Sequence, residues 1–448
     1  MKKIIFLLLP ILVLLVGCSR DDDFGSDNQI QPVPFTVTVK YDPSKFGAIG
    51  GHTASGAKVK LTNTLTGDEI TGTTDQNGEL KLTELLPGTY NITTELTMTK
   101  EEYESNFGLS TNQEEINFGG SQEKVIINAN NSATTISITS GRIGDLVIKQ
   151  YYYAGSNTRL GASFRDQFIE IYNNSDQTIY ADGLSVILTE GNNNSNPTNY
   201  TLPNGQYDWS QTAGGGNSAN TDYVYANTII TIPGEGTTYP IEPGKSIIIA
   251  QTGINHKAPY DDLNGESVSI QDPTLTVDLS NADFEVYLGD YNVSIGKKPY
   301  QWDIQNIAVP DMKITHWSLG SNDMLLNVTS YLGIGIIRAT ASDISALKKY
   351  PNPKSPTGSL HVQIPVDWII DGMDITDKEQ KAPKDFPATI DATRAFITEN
   401  GLGVANYTGY SLIRKTKETI QGRIVLQDTN NSQNDFVTIK ANPRGYAQ

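Results

Sequence analysis

The chain has 448 residues, with 50 acidic and 33 basic side chains and a net charge of −17. That balance disfavours a phosphate backbone or an anionic lipid surface as partner, because both need clustered Lys and Arg. Only 19% of residues are charged and 37% are apolar, which excludes a long disordered polyelectrolyte, and one cysteine excludes a disulfide framework or a multi-cysteine metal site.

Residues 1–18 read MKKIIFLLLPILVLLVGC. Lys2 and Lys3 precede an apolar run, Ile4 to Val16, that is shorter than the roughly 20 residues of a spanning helix. The run reads as a secretory signal over 1–17. Its end, Leu15-Val16-Gly17-Cys18, resembles a bacterial lipobox, which implies a lipidated Cys18 as the mature N-terminus and a membrane partner reached through it. Loss of Lys2 and Lys3 takes the charge from −17 to −19. Asp21, Asp22 and Asp23 follow the cysteine, and such an acidic run resembles the surface-export signal of some Gram-negative lipoproteins. With residues 19–32 polar and aperiodic, 18–33 reads as an anchor and flexible tether.

From Pro34 the pattern is that of strands. Phe35-Thr-Val-Thr-Val39 and Ala57-Lys-Val-Lys-Leu61 alternate with period two, and Asp75-Gln-Asn77-Gly78 marks a turn. Thr99-Lys-Glu-Glu102 predicts a capping box opening a short helix through about Phe107. The run TDQNGELKLTELLPGTYNI resembles the small prealbumin-like sandwiches of the carboxypeptidase-regulatory or collagen-adhesin-B type, over 34–140.

A second unit, 141–448, opens with Asp145-Leu-Val-Ile-Lys149 and three tyrosines, 151–153, expected to alternate across a strand. Gln167-Phe-Ile-Glu-Ile-Tyr-Asn173, Pro243-Gly-Lys-Ser-Ile-Ile-Ile-Ala250 and Leu279-Ser-Asn-Ala-Asp-Phe-Glu-Val-Tyr-Leu288 follow in order. Together they resemble the lamin-tail domain, an immunoglobulin-like sandwich, with Tyr410–Lys415 and Arg423–Leu426 as closing elements. With the lipobox, the C-terminal segment is similar to a family of surface lipoproteins of unknown function. The expected fold is therefore all-β: two sandwich units on a lipid-anchored stalk, the second carrying long insertions near 191–228 and 291–400. In the latter, Ser342 is placed to cap a short helix over 343–349.

Catalytic signatures are sparse. Histidines 52, 256, 316 and 361 form no HExxH, and no GxSxG is present. Asp371, Asp374 and Asp377 space three carboxylates along one loop and are weak calcium candidates, although the EF-hand pattern is not met. Asp428, Asn430 and Asn431 suit a cation or, more simply, a turn. Of the 32 residues in 191–222, 20 are Gly, Asn, Ser or Thr, too polar to build a core alone. Tyr200, Tyr207, Trp209, Tyr223 and Tyr225 in and beside this loop give it a paratope-like composition and make them candidate ligand contacts.

No cofactor is implied. The expected function is a non-enzymatic outer-membrane surface lipoprotein that binds a glycan or protein ligand, as an adhesin or as accessory to an outer-membrane transporter, with no nucleic-acid role. The net charge favours neutral or cationic ligands. The alternatives are a structural spacer, or a hydrolase using carboxylates within 291–400 such as Asp303, Asp311, Asp323, Asp343 and Asp367.

Overall fold

A computed structural model of the chain describes residues 31–42, 51–107, 115–141, 146–175, 178–192, 198–326, 332–376, 384–398, 406–420 and 422–447. Cys18, Asp21, Asp22, Asp23 and Asp377 lie outside the described residues.

The first unit holds β1 (Val33–Tyr41), β2 (Lys58–Asn63), β3 (Glu69–Thr73), β4 (Glu79–Leu85), β5 (Gly88–Thr99), α1 (Lys100–Phe107), β6 (Glu115–Ile127) and β7 (Ala133–Gly141). Their order in the sheet is β3-β2-β5-β6-β7-β1-β4, with β1 parallel to β7. The two-residue period sends Val33, Phe35, Val37, Val39 and Tyr41 inward from β1. Each such burial is worth about 1.5–3 kcal/mol as an upper estimate. The sheet curls until Leu80 on β4 meets β3, where a Cβ added to Gly72 would lie 2.5 Å from its Cδ1. The predicted turn forms: Asp75 Oδ1 accepts the N–H groups of Asn77 and Glu79, and Gly78 takes φ 71°. The capping box of α1 also forms, with Glu102 N–H donating to Thr99 Oγ1 and Thr99 N–H to Glu102 Oε2.

The second unit begins with β8 (Leu146–Tyr152), β9 (Phe168–Asn173), β10 (Ile179–Tyr180), β11 (Leu184–Thr189), β12 (Tyr223–Thr231), β13 (Pro240–Ile241), β14 (Ser246–Ala250), β15 (Tyr260–Asp261), β16 (Ser267–Val268) and β17 (Phe284–Glu285). It continues through α2 (Gly289–Ser294), β18 (Lys313–Trp317), β19 (Ile334–Arg338), α3 (Ala341–Ala346), β20 (Lys349–Pro351), β21 (Leu360–Pro365) and β22 (Ile369–Met373). It ends with β23 (Tyr410–Arg414), β24 (Thr416–Ile420), β25 (Arg423–Leu426), α4 (Ser432–Asp435) and β26 (Phe436–Lys440). One sheet runs β20-β21-β12-β11-β19-β22, with β18 also on β12; the other runs β17-β14-β9-β8-β23-β26. Ile148, Ile169 and Ile249 from the second sheet pack against Val186, Ile230 and Ile336 from the first, so the chain is all-β with its largest core between two sheets.

Three sequence expectations change. Region 291–400 is no insertion, because β18, β19, β21 and β22 build one face of the sandwich. Arg423–Leu426 does not close the sandwich; it pairs with β24 in a separate hairpin, and β26 closes the sheet beside β23. The third short helix is capped by Thr340 rather than Ser342, with Asp343 completing the box. Tyr151 and Tyr153 do share a side, their rings 5.1 Å apart, while Tyr152 faces Phe168 and donates to Asp166.

Candidate binding site

The aromatic loop is packed rather than presented. Trp209 lies flat on Tyr225 at 3.7 Å, with Tyr207 and Tyr350 edge-on, and Tyr207, Trp209 and Tyr225 are all buried. The segment thus makes a small core with β12 and β20 as its other walls. Asn220 Oδ1 accepts the Trp209 N–H, and Tyr350 donates to the Gly214 carbonyl. These three rings offer no open face to a ligand. Tyr200 remains exposed and Tyr223 half-buried.

Asp371 and Asp374 are buried partners of cations inside the fold, not loop ligands of calcium. Asp371 accepts from Arg414 Nη2 at 2.6 Å and from the Ile148 N–H. Asp374 accepts from Lys384 Nζ at 2.9 Å. Arg414 also meets Asp428 at 3.0 Å and Asp435 at 3.5 Å. Burial pushes the Asp371 and Asp435 carboxyls up although Arg414 pulls them down, because one guanidinium serves three acids. Asn431 caps α4 by accepting the Asn434 N–H, so this stretch uses turn chemistry. Among the described residues no group of three or more His, Cys, Asp and Glu is gathered as a metal-ligand set.

The candidate acids of 291–400 do not converge on an open pocket. Asp343 is spent on the α3 cap, and Asp367 sits in the short 3-10 turn 366–368. Asp303 and Asp323 are buried, and Asp311 accepts from Gln305. His256 is fully buried and held down to about 4 by that burial, its Nε2 3.1 Å from the Thr252 carbonyl oxygen. His316 is likewise down to about 4.

The open site lies between the two units. Alternation on β2 buries Val59 and Leu61 and leaves Lys58 and Lys60 outward. Cross-strand register sets Lys60 beside Thr71 and Thr93, and Lys58 beside Thr73 and Glu95. This polar face is the floor of a cleft of about 730 Å³ whose opposite wall is Lys415, Lys417 and 426–429, with Asn434. A second cleft of about 640 Å³ shares Lys60, Thr93 and Asn434 and runs on to Lys124, Arg394 and Phe396. Together they carry six bases, Lys58, Lys60, Lys124, Arg394, Lys415 and Lys417, against three acids, Glu69, Glu95 and Asp428. Glu69 pairs with Lys60, and Asp428 with Arg414. The local sign is therefore opposite to that of the whole chain, and the preference for cationic ligands read from net charge does not hold here. Asn434 Nδ2 donates to Glu95 Oε1, and Ser121 to the Ala392 carbonyl, bridging the units across the cleft. The wall is braced from behind: Asp435 accepts from Thr429 N–H, Thr429 Oγ1 and Gln427 Nε2, with Arg414 beneath.

These residues escaped sequence reasoning because they come from strands some 350 positions apart. The available signal was the pair of K-x-K repeats, Lys58/Lys60 and Lys415/Lys417.

Residues 242–443 match the profile of a family described as "Protein of unknown function (DUF4876)". A crystal structure of a protein of that family from Bacteroides thetaiotaomicron covers 92% of this chain and 96% of its own, at 24% identity and a TM-score of 0.52. The chain shares that fold. A candidate carbohydrate-binding protein from Pseudomonas aeruginosa covers 24% of this chain and 90% of its own, at 15% identity and TM-score 0.17. A candidate adhesin from Bacteroides ovatus covers 36% of this chain and 56% of its own, at 11% identity and TM-score 0.17. No curated protein matches. Among the described residues no helix is long and apolar enough to cross a membrane.

Proposed function

We propose that the chain is a non-enzymatic surface lipoprotein that binds an acidic oligosaccharide in the cleft between its two sandwiches. The observation that carries this reading is the excess of basic side chains in a hydroxyl- and amide-lined cleft on a chain of net charge −17. Thr71, Thr73, Thr93, Thr97 and Thr429 supply hydroxyls that match sugar hydroxyls, and the lysines match carboxylate or sulfate groups. Long-range repulsion from the rest of the chain is screened beyond about 8 Å at physiological salt, so the cleft's own bases dominate close approach. Among the described lining residues, Phe396 is the single aromatic ring of the second cleft and the first has none, so recognition rests on charge and hydrogen bonds rather than stacking.

The purified chain is titrated with oligogalacturonate, a sulfated glycan fragment and a neutral glucan fragment. The acidic glycans bind and the neutral one does not. The double variant Lys58→Glu, Lys417→Glu weakens binding at least about tenfold, one charge-assisted contact being worth that much, with an unchanged melting temperature. Failure of every acidic glycan to bind, or equal binding by the variant, rejects the reading.

The cellular setting in this proposal is the outer membrane, with anchoring through Cys18, export aided by Asp21, Asp22 and Asp23, and an outer-membrane transporter as neighbour. Cys18→Ser leaves the protein unprocessed or soluble. Protease applied to intact cells degrades the wild type and spares a variant with all three aspartates replaced by alanine. Full outer-membrane partition of the cysteine variant, or equal shaving of both proteins, removes this setting.

A further inference from the structure

Just past the end of β22, a lysine and a carboxylate lie side by side with water shut out. Asp374 is 1% exposed and Lys384 2%. Lys384 Nζ lies 2.9 Å from Asp374 Oδ2, and it also donates to the carbonyl oxygens of Asp391 and, at 3.1 Å, Thr393. Asp374 Oδ1 accepts the N–H groups of Asp385 at 2.9 Å and Phe386 at 3.3 Å. The Phe386 ring is fully buried and fills space that three glycines leave open: a Cβ on Gly333, Gly335 or Gly372 would lie 2.7, 3.1 and 3.1 Å from it respectively.

A second acid stands beside the pair. Asp385 Oδ2 accepts from the Gly333 N–H at 2.8 Å and from the Thr189 hydroxyl. A Cβ on that same Gly333 would stand 3.0 Å from Asp374 Oδ1, so both carboxyls border one residue. Burial first, and then the Asp374 charge, push the Asp385 carboxyl up, which favours its protonated form. Asp391 holds the other side: its Oδ2 accepts the Asp374 N–H at 2.7 Å, and its Oδ1 the Ser432 N–H at 2.8 Å. Another buried pair, Lys149 with Glu170 at 2.9 Å, is built differently: the Tyr446 ring lies 3.8 Å from that ammonium, and the Arg444 N–H donates to that carboxylate.

We propose that Lys384 and Asp374 join in an amide crosslink that the folded chain forms by itself. Burial disfavours the charged pair, and one proton passes from Nζ to Oδ2 along the 2.9 Å hydrogen bond. The two N–H groups left on Nζ stay on the Asp391 and Thr393 carbonyls, so the lone pair faces Asp374 Cγ. The Nζ–Cγ bond forms, and the charge gathering on Oδ1 is met by the Asp385 and Phe386 N–H groups. Asp385 gives its proton to the departing Oδ2 hydroxyl and recovers one from the nitrogen. The Cγ–Oδ2 bond breaks and one water leaves, so ammonium and carboxylate become amide and water, with nothing oxidised or reduced. Prior contact of the two groups supplies what a bimolecular condensation lacks. The bond pins the 384–394 segment to the end of β22 and so fixes Ala392, Thr393 and Arg394, which line the second cleft.

The test digests the purified full chain with trypsin under denaturing conditions and weighs the peptides. Trypsin does not cut after an acylated lysine, so peptide 382–394 stays whole and appears joined to peptide 355–378, lighter than the two together by one water. Fragmentation places the bond between Lys384 and Asp374. Lys384→Arg keeps the cation but offers no amine to acylate; it gives peptide 355–378 alone and lowers the melting temperature by on the order of 5 °C. Asp385→Asn lowers the joined fraction at least about tenfold, while Asp343→Asn at the α3 cap leaves it unchanged. If neither site variant folds, the wild-type digest decides. Separate peptides 355–378 and 385–394 from the wild type, with no joined product, overturn the bond and leave an ordinary ion pair. A joined fraction in Asp385→Asn equal to that of the wild type overturns the proton transfer through Asp385. The digest involves no glycan, so its result is independent of what the cleft binds.

Discussion

Arg414 is the residue on which the cleft wall depends. It is 2% exposed and bonds Asp371, Asp428 and Asp435, while its Nε donates to the Ile148 carbonyl and Nη1 to that of Gln427. Its guanidinium also stacks on Phe436 at 4.7 Å. Removing it leaves three buried acids without their cation, and breaking a buried ion pair in this way costs about 3–5 kcal/mol. Arg414→Met is therefore expected to lower the denaturant midpoint with an unchanged slope, and to loosen 427–435 before the rest of the sandwich. A variant as stable as the wild type would mean that these carboxylates are satisfied some other way. Asp182 shows the opposite economy. Burial opposes its ionisation, but the N–H groups of Tyr239, Thr238 and Gly236 hold its carboxyl well below the usual range. Neither arrangement was legible in the sequence, because Arg414, Asp371 and Asp182 find their partners across the fold rather than along the chain.

Among elements, legibility followed burial pattern. The strands β1 and β2 bury alternate residues, so their period announces both the strand and its inner face. The strand β19 is buried on both faces from Ile334 to Ile337, as are four of six residues in β21, and a strand covered on both sides has no period to read. This is why 291–400 looked like an insertion although it supplies five of the seven strands of one sheet. The loop 198–222 misled in another way. Its composition is polar, but Trp209, Tyr207 and Ala219 are enough for a core once Tyr225 and Tyr350 serve as walls. Trp209→Ala is expected to destabilise this element by about 3 kcal/mol, as large-to-small core changes do, seen as faster hydrogen exchange across 198–225. Binding in the cleft should be unaffected. Lost binding with an intact fold would return the loop to the role its composition suggested.

Across the whole molecule, buried acids dominate the response to pH. Burial raises Asp303 to about 8 and Glu285 to about 7, and pushes Asp371, Asp385 and Asp435 in the same direction. With unfolded carboxyls near about 4, the folded chain binds more protons than the unfolded one, and stability falls as pH rises through the raised values. Each extra proton held contributes about 1.4 kcal/mol per pH unit. His256 and His316, held down to about 4, act the other way, but only below their unfolded value of about 6.5. The melting temperature should therefore drop from pH 6.5 to 8; a rise over that interval would show that these acids are ionised and compensated in the fold. The cleft is also a whole-molecule feature, since its floor belongs to one sandwich and its wall to the other. The most direct test of the account is hydrogen exchange of the purified chain with and without a saturating acidic oligosaccharide. Protection is predicted on β2, β3 and β5 and on 415–434 together, with none across 198–225. Protection confined to 198–225, or to one sandwich alone, would contradict it.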